Sequence, residues 1–310
     1  MSRTIITPSA EYTSRPFQDE TDFWRVRRLL IDTVADTPVG WTWDIRRWDG
    51  WRFHRESSDI TPEWSRRFHL WENVDGHLVG AAHPEDAGEV YLEIHPDFRA
   101  DIEEDMFAWA EQSLCDDSGL LTWVFDYDVT RQNLLKRRGY APTDAIMVMR
   151  HMRMSHREIL APQIASPYVL RSTEDTMDDC ARVADVLNAG FNRTIHTAAE
   201  FFTFATKSPS YRADLNLVAE APDGSFAALV GLTLDTESGR AIIEPVCTHP
   251  DHRRHGLAHT LIQEGMRRVQ ALGAVDITVE TGSSEAANKL YDDFGFSGVY
   301  RGVAWRKTFE

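Results

Sequence analysis

The chain has 310 residues, 42% of them hydrophobic and 26% charged, with 33 Lys and Arg against 49 Asp and Glu for a formal charge of −16. That composition is ample for packed cores and argues against a disordered chain. The acidic balance argues against non-specific nucleic-acid or anionic-membrane binding, which needs a basic footprint. The length suits two domains. No stretch approaches the roughly 18 apolar residues of a membrane helix, and the N-terminal "MSRTIITPSAEYTSRPF" lacks a basic-then-apolar signal pattern. Three well-separated cysteines, Cys115, Cys180 and Cys247, suit a reducing compartment, so a cytoplasmic protein is expected.

In chain order, nine of the ten tryptophans precede residue 125. Trp41, Trp48 and Trp51 in "WTWDIRRWDGWRF" roughly share a helical face. Core or inter-domain packing is one reading of them, and an aromatic wall against a substrate is the other. "LEIHPDFRADIEEDM" reads as a strand, a His-Pro-Asp turn and a helix, followed by the strand "LLTWVFDY" and a helix ending at "LLKRRGY". The polar, Pro-containing residues 155–167 read as a linker. Beyond it come the strand "YVLRS", the helix "MDDCARVADVLNAGF", and the strands "LNLVAEA", "FAALVGLTLD" and "GRAIIEPVCTHP". The helix "LAHTLIQEGMRRVQALG" stops at Gly273, and the strand "VDITVE", the helix "SEAANKLYDDFG" and a last strand or hairpin close the chain.

Two segments recur. "IHPDFR" and "THPDHR" lie 154 residues apart (His95 to His249), and "LLKRRGY" and "LYDDFGF" lie 156 apart (Gly139 to Gly295). Two matches in the same order at nearly the same offset predict a duplicated domain. The expected fold is α/β (α+β): residues 1–154 and 168–310 each form a mixed, mostly antiparallel sheet flanked by helices.

The richest segment is "EPVCTHPDHRRHGLAHTL". A strand ends near Thr248, and Arg253, Arg254, His255, Gly256, Leu257 and Ala258 open a helix. Unpaired N–H groups and the positive end of the dipole meet at such a terminus, and small residues let a phosphate approach the backbone. Arg-x-x-Gly-x-Ala after a strand, then a long helix, a strand and "NKLYDDFGF", resembles the GNAT superfamily of acyl-CoA-dependent N-acyltransferases. The resemblance covers residues 168–309 in intact form and residues 11–154 in degraded form. It is similar in architecture to tandem members of the superfamily such as mycothiol synthase. The resemblance implies acetyl-CoA as co-substrate, with its pyrophosphate on the backbone amides of Arg253 to Ala258 and its pantetheine arm along Val246, Cys247 and Thr248. It also implies that Tyr291 protonates the departing thiolate. Where the family often has Asn seven residues before that Tyr, this chain has Ser284, a good helix N-cap whose cofactor contact is left open.

Transfer to an amine needs a neutral nucleophile, stabilisation of an oxyanion and a leaving thiolate. Glu244, two residues before Val246 in an apolar strand, faces the same side in an unbroken pleat, and Pro245 can disturb that parity. It is the candidate base or ammonium anchor, with a solvent-facing edge residue as the bland alternative. His249 is a second candidate base, although His-Pro-Asp is turn chemistry. His249, His252, His255 and His259 suggest a metal cluster, but His255 lies inside the anion loop and no Cys or carboxylate has matching spacing, so no metal is expected. Aligning the copies puts Ile102 at Gly256, Glu104 at Ala258 and Leu135 at Tyr291, which predicts that the first copy does not catalyse. The expected function is acetyl transfer to the primary amine of a small cationic acceptor. A peptide or protein amine and a non-catalytic acyl-CoA sensor or structural module are the alternatives. Monomer and homodimer both remain open.

Overall fold

The computed structural model describes residues 11–154, 158–282 and 284–309; residues 155–157 of the expected linker lie outside them. The chain packs as two compact units. Met1–Asp44, Asp59–Met149 and Tyr300–Glu310 form the first, and Ile45–Ser58 with Arg150–Val299 the second. These boundaries differ from those of the repeat, because Ile45–Ser58 belongs to the first copy and Tyr300–Glu310 to the second.

In the first unit, β1 (Tyr12–Pro16) leads into α1 (Glu20–Thr33). Asp19 caps that helix by accepting the Thr21 N–H at 2.8 Å, and Phe23, Val26 and Leu30 form its buried stripe. α2 (Ile45–Phe53) is set in the second unit. After α3 (Pro62–Arg67), β2 (His69–Asn73), β3 (Leu78–His83) and β4 (Tyr91–Ile94) complete an antiparallel sheet in the order β1-β2-β3-β4. α4 (Arg99–Ser113) covers it, with Ile102 and Met106 buried beside Gly80. β5 (Leu120–Phe125) meets the approach to β4 only at a parallel bridge between Glu89 and Leu121. α5 (Val129–Arg137) follows, and then β6 (Ala141–Arg153), whose last residues count with the second unit.

The second unit holds β7 (Val169–Ser172), α6 (Met177–Phe191), α7 (Ala198–Lys207), β8 (Asn216–Glu220), β9 (Phe226–Leu234), β10 (Arg240–Thr248), α8 (Leu257–Ala271), β11 (Asp276–Thr281) and α9 (Glu285–Phe294). The strand order is β11-β10-β9-β8-β7, parallel between β10 and β11 and antiparallel elsewhere. β9 is buried over its whole length, as its unbroken apolar sequence requires of a central strand. One face packs Cys180, Val183, Leu187 and Phe201 of α6 and α7 on Leu229 and Cys247. The other packs Leu261, Met266, Tyr291 and Phe294 of α8 and α9 on Leu232, Ile243 and Ile277. This is the mixed, mostly antiparallel α/β architecture expected from sequence. The last strand, β12 (Gly298–Lys307), is a single strand and pairs antiparallel with β5 from Gly302–Phe125 to Lys307–Leu120.

One irregularity shapes the second sheet. Ile243 pairs with Leu232 and Val246 with Val230, so β10 spends one residue more than β9 on the same length. The extra residue falls at Glu244–Pro245, where proline has no N–H for the ladder. Gly231 sits opposite: a Cβ there would lie 2.7 Å from the Glu244 carbonyl oxygen and 2.9 Å from Pro245 Cδ. On its other side β10 pairs with β11 only from Arg240–Asp276 to Ile242–Thr278. Past Ile242 the two strands part. At the closed end, Arg240 donates two bonds of 3.0 Å to Asp276 and His151 lies 3.1 Å from the same carboxylate. Burial opposes that carboxylate's charge, but the bonds from His151 and Arg240 prevail and hold its pKa at about 2.

Two outcomes follow from this geometry. Gly231→Val forces backbone against backbone and lowers stability by about 1–3 kcal/mol, read from urea unfolding with an unchanged m-value. Asp276 contributes stability in full above its unfolded pKa of about 4 and loses it as pH falls toward its folded value. Acid unfolding of Asp276→Asn therefore shows a smaller pH dependence between those two values than the parent does.

Candidate functional site

β10 beyond the bulge offers a free main-chain edge. Val246, Cys247 and Thr248 pair with β9 through Val230, Leu229 and Ala228, and their other side has no partner on β11. The Cys247 side chain turns away from that edge, with its Sγ 3.7 Å from the Val186 carbonyl oxygen. Burial pushes this thiol up to about 12, which makes it a packed group and not a nucleophile. Glu244 is exposed at the bulge. The pleat between it and Val246 is broken, so the parity argument for a shared face fails, and it lies outside the apolar core.

The strand runs into a short 3-10 turn, Pro250–His252, whose Asp251 N–H bonds His249 Nδ1 at 3.3 Å. That ring is engaged in turn structure. Arg253 is extended, Arg254 has φ 66° and Gly256 has φ 72°. Left-handed positions spaced in this way turn successive N–H groups toward one side of the loop, and holding a non-glycine residue there stores backbone strain. Arg253 reaches back to the Gly190 carbonyl at 3.1 Å and fastens the loop to the end of α6. α8 begins at Leu257 with no side-chain cap and no acidic residue in its first turn, so its leading N–H groups keep their capacity for an anion. A Cβ on Gly256 would meet nothing within 4 Å: the space above the loop is open. The arrangement fits a pyrophosphate.

α9 supplies Tyr291, whose side chain is buried and meets Phe296 edge-on at 5.6 Å. Burial raises its pKa above the usual phenol value, against a smaller opposing effect of Arg150, so the hydroxyl stays protonated. Ser284 caps α9 by accepting the Ala287 N–H at 3.4 Å. Sequence reasoning missed Arg150 and Asn288. Arg150 is buried, pairs with Asp292 at 2.6 Å and donates to Asn288 Oδ1 at 3.0 and 3.1 Å. Asn288 also bonds the Gly282 and Ser284 carbonyls, which ties the end of β11 to the start of α9. The signal available was a lone arginine inside the apolar run "AIMVMRHM".

On the α6 side of the sheet a small, partly open cleft reaches the bulge at Pro245 and is lined by Arg46, His54, Phe201, Phe204 and Leu229 among others. Its first two residues come from α2 and the residue following that helix. Trp48 of α2 is fully buried, whereas Trp41 precedes the helix and packs in the core of the first unit, so the two do not share a helical face. The four histidines sit in aromatic contacts: the His249 and His252 rings meet at 5.5 Å, His252 Nδ1 lies 3.0 Å from the Tyr168 hydroxyl, His255 packs on Tyr168 at 5.7 Å and His259 stacks on Phe294 at 4.4 Å. Among the described residues no group of three or more His, Cys, Asp or Glu is placed to hold a metal ion.

The first copy shows what the second has kept. Its His-Pro-Asp turn is the same, with Asp97 N–H on His95 Nδ1 at 3.3 Å. Then the copies part, because Arg99 is already helical where Arg253 is extended. Ile102 does not plug a phosphate loop, as the alignment suggested. It is a buried core residue of a helix that starts four residues early, so no loop forms. Glu103 is likewise buried, bound by Arg99 at 2.8 Å and Arg131 at 2.5 Å. Arg99 also holds Asp128, the cap of α5, at 2.8 Å, and the Trp41 indole donates to Asp128 at 3.1 Å. Burial opposes ionisation of Asp128, yet Arg131 and Arg99 keep its carboxyl below the usual range. Residues 39–43 lie against β4 and the end of β5: Gly40 sits against the Phe125 ring, Tyr127 just beyond β5 donates to the Val39 carbonyl at 2.9 Å, and the Trp43 N–H bonds Glu93 of β4 at 2.9 Å. The chain itself fills the place where β4 and β5 separate.

If the loop amides hold the CoA pyrophosphate, as the family resemblance implies, Gly256→Glu puts a side chain and a negative charge where they converge and is expected to abolish CoA binding measured by isothermal titration. Glu104→Ala, at an exposed residue of α4, leaves that affinity within about twofold.

The family model described as acetyltransferase (GNAT) family matches residues 187–296, which include the bulge, the loop, α8 and Tyr291. No curated protein matches the chain. A GCN5-related N-acetyltransferase from Sphaerobacter thermophilus superposes with TM-score 0.63 at 18% identity, over 98% of this chain and 99% of that one. A tandem GNAT protein from the clavulanic acid biosynthesis pathway gives TM-score 0.66 at 15% identity, over 96% and 98%. The N-myristoyltransferase of Saccharomyces cerevisiae with bound myristoyl-CoA gives 0.58 at 12%, over 99% and 82%. At these identities the likeness is one of fold. Residues 187–296 thus match the acetyltransferase (GNAT) family, within a chain whose fold is like that of a tandem GNAT protein.

Proposed function

We propose that the chain is an acetyl-CoA-dependent N-acetyltransferase that passes acetyl directly to the primary amine of a small acceptor. Residues 168–310 are then the working copy, residues 1–154 a non-catalytic partner, and 155–167 the linker between them. The observation that carries this reading is the pairing of a free strand edge at Val246–Thr248 with an uncapped, left-handed loop at Arg253–Ala258. The loop amides, with Arg254 and His255 exposed around them, hold the pyrophosphate. The edge amides of Val246 to Thr248 bind the arm and polarise the reacting carbonyl. The Tyr291 hydroxyl, kept protonated by burial, delivers a proton to the departing sulfur. Glu244 at the bulge takes a proton from the amine through water, or holds its ammonium form. Ser284 acts through the capped start of α9. The first copy's early helix and its filled strand divergence support a silent role for it. Three free thiols among the described residues support a cytoplasmic setting, and among those residues no helix is long and apolar enough to cross a membrane.

Thiol release from acetyl-CoA across a panel of primary amines tests the reading. Tyr291→Phe lowers kcat about 100-fold and leaves the KM for acetyl-CoA unchanged. Because the phenol's pKa is raised, the parent's kcat shows no descending limb from this group below about pH 10. CoA binding with no amine-dependent turnover, together with an unaffected Tyr291→Phe, would mark the chain as a binding module.

A further inference from the structure

The cleft on the α6 side contains a charge with no counter-charge. Arg46 is 6% exposed. One of its N–H groups donates to His54 Nε2 at 2.8 Å, and the guanidinium lies over the Phe204 ring at 4.4 Å. Among the described residues it forms no other hydrogen bond and no ion pair. A guanidinium has five N–H donors and cannot neutralise itself by losing a proton, so most of its donors are unspent. His54 cannot supply the missing charge. It must accept from Arg46 at Nε2, and burial together with Arg46 and His196 pushes its pKa well below the usual value. It is a neutral ring, stacked on Phe204 at 3.9 Å. A buried cation of this kind is costly unless something pairs with it, and Arg46 lines a cleft that also reaches Pro245 at the bulge.

Resting on the acyl-transfer reading above, we propose that the acceptor is a small amine that also carries a carboxylate, and that Arg46 binds that carboxylate. The guanidinium fork matches a planar carboxylate. Two carboxylates, Glu174 and Asp179, line the same cleft. Asp179 is already bound by Arg171 at 2.7 and 2.9 Å, and Glu174 is exposed. Among the described residues Arg46 is the one arginine or lysine lining the cleft, so a multiply charged phosphate would keep an unmatched charge there, whereas a single carboxylate is matched one for one. Val183, Phe201, Phe204, Leu229 and Pro245 leave an apolar wall for the rest of the molecule. The acceptor therefore belongs to the amino-acid class, with its ammonium directed to the bulge and its carboxylate to α2.

Paired α-amino acids and their carboxamides are the test, compared both by titration calorimetry in the presence of CoA and by turnover with acetyl-CoA. Loss of a charged hydrogen-bond partner is worth about 10- to 100-fold. The acid of the best pair is expected to bind and to react at least that much better than its amide. Arg46→Gln raises the KM for the acid by a similar factor, changes kcat little, leaves the KM for acetyl-CoA unchanged and erases the preference for acid over amide. Arg46→Lys, which keeps the charge but loses the fork, falls between. The comparison within the wild-type protein stands even if a variant fails to fold. Amides that react as well as acids, or an acid preference that survives in Arg46→Gln, overturn the assignment of Arg46 and leave acyl transfer standing. Acids that bind through Arg46 but draw no acetyl from acetyl-CoA uphold the assignment and sink the transferase reading. A panel in which no acid binds in preference to its amide overturns the inference.

Discussion

The second unit depends on one constraint in β10. At Glu244–Pro245 the strand carries a residue that β9 cannot match, and Gly231 has no side chain so that the extra backbone can pass. A regular strand would continue its ladder with β11 past Ile242. Because it does not, the edge from Val246 to Thr248 has no ladder partner on β11 and leads into the loop before α8. The closed end needs the opposite property, and Asp276 supplies it by holding Arg240 and His151 together. The unpaired edge thus follows from a single misfit in register, and the strand that carries it leads into the left-handed loop before α8.

The two copies show how little separates a site from a filled core. Both use a His ring to cap the same short turn. The first then enters its helix at once, whereas the second spends Arg253 to Gly256 in extended and left-handed backbone before its helix begins. In the first copy the freed positions carry an ion-pair network of Arg99, Glu103, Asp128 and Arg131 around Trp41. Each ion of this network has an opposite charge beside it, so removing one partner would leave a buried charge to the full desolvation penalty. The protein's own residues 39–43 take up the place where its strands diverge.

The duplication, the mixed sheet, the Ser284 cap and the loop before α8 are legible in sequence because each is local: a spacing, an alternation, a cap or a pair of small residues. What escapes is set by contacts distant in the chain. Nothing in "WTWDIRRWDGWRF" tells that Trp41 packs in one unit and Arg46 lines a cleft in the other. The early start of α4 is hidden because "RADIEEDM" and "RRHGLAHT" both open helices, and only the burial of Ile102 fixes which residue is the first. Pro245 is visible as a disturbance of the pleat, but the side on which Glu244 emerges follows from the register with β9, which a single strand cannot reveal. Arg150 appears in sequence only as a charge in an apolar run, and its partners Asn288 and Asp292 lie more than a hundred residues away.

The central claim is that the chain has one acyl-CoA site, between β10 and β11 in the second copy. A crystal structure with a non-hydrolysable acetyl-CoA analogue, read with the stoichiometry from calorimetry, tests it most directly. The account predicts one ligand per chain, its pyrophosphate over Gly256 and its arm along Val246 to Thr248. A second ligand between β4 and β5, or a single one seated there, would contradict it.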